Sequence, residues 1–185
     1  TYNSSPNVVG YIEGSKKNDE NIVCIAHWDH LGYGKPINGD SIINGTTDNA
    51  TAMSWLLETA RAFKALDKQP ERNIVFLIPT CEETGFLGTN YYVANPIYPI
   101  KKTVSVINLD VIPLWGENND VTITGYGHST LDDMVTRLAS KYNRYVMADP
   151  EAFNGMFYRS DHFPFMQQGV PAMFAKGWSD NRKHG

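Results

Sequence analysis

Ile22-Val23-Cys24-Ile25-Ala26-His27-Trp28-Asp29-His30 is the stretch on which the reading of this chain turns. Five apolar residues in succession are too few for a helix, and they lack the alternation of a strand with one wet face. They read as a strand buried on both sides, the kind found in a covered parallel sheet. The run then breaks at once into two imidazoles and a carboxylate. In an open α/β sheet, ligands bind just beyond the carboxyl ends of the strands, so this break is a candidate site.

Reading outward, the same pattern returns. Val8 to Ile12 is a short strand. A Gly/Asn-rich loop from Leu31 to Asn49 leads into a helix with Ala52, Leu56, Ala60 and Phe63 at helical spacing. Ile74 to Ile78 is a second buried run, followed by Cys81-Glu82-Glu83. Phe86 to Ala94 reads as a helix stopped before Asn95-Pro96. Val104 to Leu109 is a third run, ending in Asp110, and Val121 to Thr124 is a further strand. Ser129 or Thr130 can cap a helix with Asp132 and Asp133 in its first turn. A helix near Asp161 to Gln168 and a strand near Ala172 to Phe174 complete the order. Strands alternating with helices give an α/β fold with its sheet covered on both sides. With no linker or repeat, residues 1–185 read as a single domain.

Composition narrows the function. The chain has 185 residues, with 16 basic against 20 acidic side chains, 42% hydrophobic and 19% charged. That is globular composition, without the basic stripe of a nucleic-acid binder or the roughly 18-residue apolar run of a membrane span. Thr1 to Pro6 has neither the basic nor the apolar region of a signal peptide. Cys24 and Cys81 are too few for a disulfide framework.

Each strand-end group has an ordinary structural use when taken singly, as a cap, an Asx turn or a solvated turn. Together, His27, Asp48, Glu82-Glu83 and Asp110 would bring several carboxylates and an imidazole to one sheet edge. Such carboxylates repel unless a cation sits among them. Nitrogen and oxygen donors without thiolate suit zinc or a similar divalent ion, and a bridging carboxylate would make a two-metal hydrolase site. Asp29 is placed to accept a hydrogen bond from the second ring nitrogen of His27. Neighbouring side chains in Glu82-Glu83 diverge, so one can ligate while the other acts as general base.

His27-Trp28-Asp29-His30, Gly45-Thr46-Thr47-Asp48-Asn49-Ala50, Glu82-Glu83-Thr84-Gly85-Phe86-Leu87-Gly88-Thr89 and Asn108-Leu109-Asp110 stand in that order. The set resembles the zinc aminopeptidase family, metallopeptidase family twenty-eight, which also contains glutamate carboxypeptidases and glutaminyl cyclases. The likeness runs from about Asn7 to Gly177. It implies a three-layer α/β sandwich with a mixed, mainly parallel central sheet and two zinc ions. By the same resemblance His27 and Asp110 hold one zinc, Glu83 holds the other, Asp48 bridges them and Glu82 is the general base. A cis peptide at Asp48-Asn49 is also implied.

The resemblance extends to Arg159-Ser160-Asp161-His162-Phe163 and Gly169-Val170-Pro171-Ala172. It leaves His162 either lining the cleft or structural; His30 and His128 read as structural and Tyr158 as a cleft residue. The family's fifth ligand is a histidine usually followed by an acidic residue. His184 is followed only by Gly185 and matches poorly, so the chain reads as truncated, with one zinc or none tightly held and poor activity. Glu83 and the strand end near Ala175 are then expected to be unusually exposed. The function implied is a zinc-dependent exopeptidase, above all an aminopeptidase taking peptides with a free N-terminus. A glutaminyl cyclase-type acyltransferase and a non-catalytic binding domain of the same fold are the alternatives. Export from the cell is expected from the resemblance alone.

Overall fold

The computed structural model describes residues 4–114, 116–177 and 180. His184 lies outside them. In chain order the elements are β1 (Val8–Ile12), β2 (Lys17–Ile25), β3 (Gly32–Ile37), β4 (Asp40–Ile43), α1 (Thr51–Lys64), β5 (Arg72–Ile78), α2 (Leu87–Ala94), β6 (Thr103–Asn108), β7 (Asp120–Thr124), α3 (Leu131–Lys141), β8 (Tyr145–Ala148), α4 (His162–Met166) and β9 (Ala172–Lys176).

Seven strands form one sheet in the order β1-β5-β2-β6-β9-β7-β8. Four of its six pairings are parallel, and only β1 with β5 and β7 with β9 run antiparallel. The sheet is therefore mixed and mainly parallel, as expected. Its centre is apolar on both faces because each face has its own helical cover. On one side Val23, Ile25, Val75, Leu77 and Val106 pack with Tyr92 of α2 and Phe165 of α4. On the other, Cys24, Ala26, Ile74 and Phe76 pack with Ala52 and Leu56 of α1. The period-two alternation of β2 and β5 thus sends successive apolar residues into two different cores, which is why both strands read as unbroken apolar runs.

Register places the site. Ile25 of β2 pairs with Leu77 of β5 and with Asn108 of β6. These three parallel strands end side by side, and His27 and Asp110 each lie two residues beyond that row. Two features, three strands in all, differ from the sequence expectation. The stretch read as a loop from Leu31 to Asn49 contains the β3–β4 hairpin, turned by Asn38 (φ 51°) and Gly39 (φ 87°). Both turn residues adopt the positive φ that matches hairpin twist, and Asn-Gly is the usual pair for it. The four-residue edge strand β8 is the other, too short and too exposed to carry a pattern.

Candidate metal centre

Four segments build the site, and each is held by its neighbours. His27 leaves β2 almost fully buried, at 1% exposure. Its Nδ1 donates to the backbone oxygen of Asp29 at 3.1 Å. That bond fixes the ring, so Nε2 faces three carboxylates: Asp48 Oδ1 at 3.3 Å, Asp110 Oδ1 at 3.4 Å and Glu82 Oε2 at 3.9 Å.

Asp48 comes from the wide turn Thr46–Ala50 before α1, where Asp48 and Asn49 leave helical angles and the peptide between them is cis, as expected. The turn is clamped to the β6 exit. Asn49 Nδ2 donates to the Leu109 carbonyl, the Val111 amide donates to Asn49 Oδ1, and the Ile112 amide donates to Thr51 Oγ1. Asp110 sits between these anchors. Its second oxygen accepts from Ser160 Oγ at 2.8 Å, and that hydroxyl accepts from Asn108 Nδ2 at 2.7 Å. Metal-binding carboxylates are commonly oriented by such outer partners.

The Glu82-Glu83 turn follows β5 and is fixed by Asp29. Asp29 Oδ1 accepts from the Glu82 amide at 3.1 Å and Oδ2 from the Glu83 amide at 3.3 Å. This corrects the expected role of Asp29. Its carboxylate is 3.7 Å from His27 Nδ1, and the backbone oxygen takes the imidazole bond instead. The carboxylate accepts from two backbone amides and so holds the Glu82-Glu83 turn.

The ligand atoms fall into two groups, each gathered within 4.8 Å: His27, Glu82 and Asp110, and His30, Asp48 and Glu83. Asp48 also reaches His27, so it lies between them. His30, expected to be structural, instead places Nδ1 2.7 Å from Glu83 Oε1 and 3.9 Å from Asp48 Oδ1. Its signal was present in the sequence, one residue after Asp29 in the same strand-end break. Glu83 is only 19% exposed and Ala175 only 6%, so the expected exposure at these two positions is also corrected.

His162 does not line the cleft. It is fully buried between Phe157 and Phe174, at ring separations of 5.4 and 5.3 Å, and burial lowers its pKa to about 4. His128 stacks on Phe157 at 4.6 Å, consistent with a structural role, and Tyr158 is exposed against Phe157 and Phe163. Ser160 and the buried Asp161, which accepts from Thr89 Oγ1 at 2.5 Å, are parts of the site that the sequence reading left without roles.

Burial and crowding set the electrostatics of the site. Burial opposes a charged His27, yet Asp110, Asp48 and Glu82 hold its pKa up at about 11. Burial raises Glu82 to about 8; His27 opposes that rise, and Asp161, Asp110 and Glu83 add to it. Asp48 Oδ1 is buried and makes no hydrogen bond. Crowded carboxyls, an orphaned carboxylate oxygen and an imidazole aimed at them form a donor set that fits zinc in chemistry and burial.

A profile of peptidase family M28 matches residues 7–184. The chain belongs to peptidase family M28. It is 30% identical to leupeptin-inactivating enzyme 1 of Streptomyces exfoliatus over 135 residues, 71% of this chain and 29% of that protein. Among solved structures, the LapA aminopeptidase of Legionella pneumophila superposes with a TM-score of 0.74 at 23% identity, covering 94% of this chain and 44% of that one. BSAP, a zinc aminopeptidase from Bacillus subtilis, gives 0.69 at 22% identity, covering 97% and 41%. These likenesses establish the zinc aminopeptidase fold, and this M28 chain spans less than half the length of each of the three.

Proposed function

We propose that this chain is a zinc-dependent exopeptidase, foremost an aminopeptidase, hydrolysing the N-terminal bond of peptides. The observation that carries the reading is the convergence of Asp48 and Asp110 on His27 Nε2, within 3.4 Å, with Glu82 Oε2 at 3.9 Å. His27, Asp48 and Asp110 would hold one zinc, and Glu83 with Asp48 a second. When bound, zinc supplies Lewis-acid polarisation of a carbonyl and lowers the pKa of water.

The chain's own residues supply the rest. Glu82, raised toward neutrality by burial, is suited to take a proton from the attacking water and return it to the leaving amine. Asp29 holds the backbone on which Glu82 rides, and Ser160 holds Asp110 in its orientation. The adjoining cleft is lined by His27, His30, Gly45, Met53 and Leu57. Asp48 and Glu83 lie on the more open side of the site, where carboxylates can pair with a substrate α-ammonium group.

The test is a substrate panel on the chelator-stripped, zinc-reloaded chain. Release of amino acids from aminoacyl amides, abolished by N-acetylation of the substrate, is the expected result. Pyroglutamate formation from N-terminal glutamine without amide hydrolysis would favour the cyclase alternative. Zinc binding with neither activity would favour a binding domain.

A further inference from the structure

We infer that His30 is a metal ligand, completing with Glu83 and Asp48 the outer of the two metal positions. This rests on the zinc reading above and adds a nitrogen donor to the two carboxylates of Glu83 and Asp48.

Three observations carry it. First, His30 Nδ1, Glu83 and Asp48 present ligand atoms within 4.8 Å of one another. Zinc bonds of about 2.0–2.2 Å in tetrahedral geometry set ligand atoms about 3.4 Å apart. The distances of 2.7 Å to Glu83 and 3.9 Å to Asp48 bracket that value. Second, the chain is shaped to hold the ring there. Gly45 has φ 65°, and a Cβ on it would lie 2.9 Å from His30 Cγ and 2.8 Å from the Asp48 backbone oxygen. A side chain at 45 would push the imidazole and the Asp48 turn apart. Third, the ion pair alone leaves the site incompletely satisfied. Asp48 Oδ1, the atom that His30 and His27 both approach, is buried without a hydrogen bond. A cation between the two groups satisfies it; a His30–Glu83 pair does not.

The protein labelled with 15N-histidine, stripped of metal and titrated with zinc, gives a direct reading. Two equivalents should bind, the first moving the His27 Nε2 resonance and the second moving His30 Nδ1. His30→Ala should keep the first equivalent and weaken the second by more than about 100-fold, beyond the 10–100-fold usual for an outer partner. Unfolding of the metal-free variant at the wild-type temperature would show that the fold is kept. The inference is overturned if the wild-type chain takes one equivalent only, or if His30 resonances stay still through the second. It is also overturned if His30→Ala binds both with affinity within about threefold of wild type. No zinc binding at all would instead remove the zinc reading on which it rests.

Discussion

Glu82 and Glu83 are adjacent and chemically alike, yet their surroundings differ. Glu82 is buried beside His27 and Asp110, whereas Glu83 faces His30 on the more open side. Glu82→Gln keeps volume and hydrogen-bonding capacity but cannot carry a proton away. It should retain zinc and lower turnover by about 10²–10⁴-fold, the range of a positioned acid–base group. Undiminished kcat in that variant would take Glu82 out of the reaction. Ser160 makes a different prediction. Its hydroxyl accepts from Asn108 and donates to Asp110, so Ser160→Ala should weaken zinc binding by about 10–100-fold without removing a ligand. Competition with a zinc chelator measures this. Of these residues, His27, Asp48, Glu82, Glu83 and Asp110 were legible because each follows an apolar run or opens a helix. Ser160 was not, because a hydroxyl has no strand-end signature; His30 stood in the strand-end break but read as structural, the commoner use of a lone imidazole.

At the scale of elements, the strands that build the site were the most legible part. β2 and β5 send apolar residues into both cores and β6 into one, and polar or charged residues follow each strand, a contrast that needs no tertiary information. The β3–β4 hairpin was missed because its strands are largely exposed and carry Gly32, Gly34, Lys35 and Pro36, which mask the Asn38-Gly39 turn. The turn between β5 and α2 shows how tightly the elements are joined. Gly88 donates its amide to the Thr80 carbonyl, and Asn7 accepts from the Thr80 amide while donating to the Gly88 carbonyl. A Cβ at Gly88 would lie 2.3 Å from the Thr80 oxygen. Gly88→Ala should therefore destabilise the protein by about 1–3 kcal/mol, the usual scale of overpacking. Because Glu82 and Glu83 lie within this turn, the same change should also weaken zinc binding. A denaturant melt with a parallel zinc titration tests both, and wild-type values in each would refute the coupling.

For the whole molecule, the metal-free site is a store of protons. The folded pKa values of His27 (about 11), Glu82 (about 8) and Asp161 (about 7) all stand above those of the unfolded chain. Their contribution to stability is present in acid, below the unfolded pKa values of about 4 for the acids and about 6.5 for histidine. It is lost as pH rises through 7, 8 and then 11. Zinc needs His27 Nε2 unprotonated, so its binding releases protons and tightens with pH. The rise in Tm on adding saturating zinc should grow between pH 6 and pH 9, and a pH-independent rise would contradict this charge assignment. The central proposal is that His27, Asp48 and Asp110 hold a zinc ion. Its most direct test is anomalous diffraction at the zinc edge from crystals of the zinc-loaded protein. The account predicts a peak about 2.0–2.2 Å from His27 Nε2 and from a carboxylate oxygen of both Asp48 and Asp110. A peak distant from all three, or none in protein shown to bind zinc in solution, would contradict it.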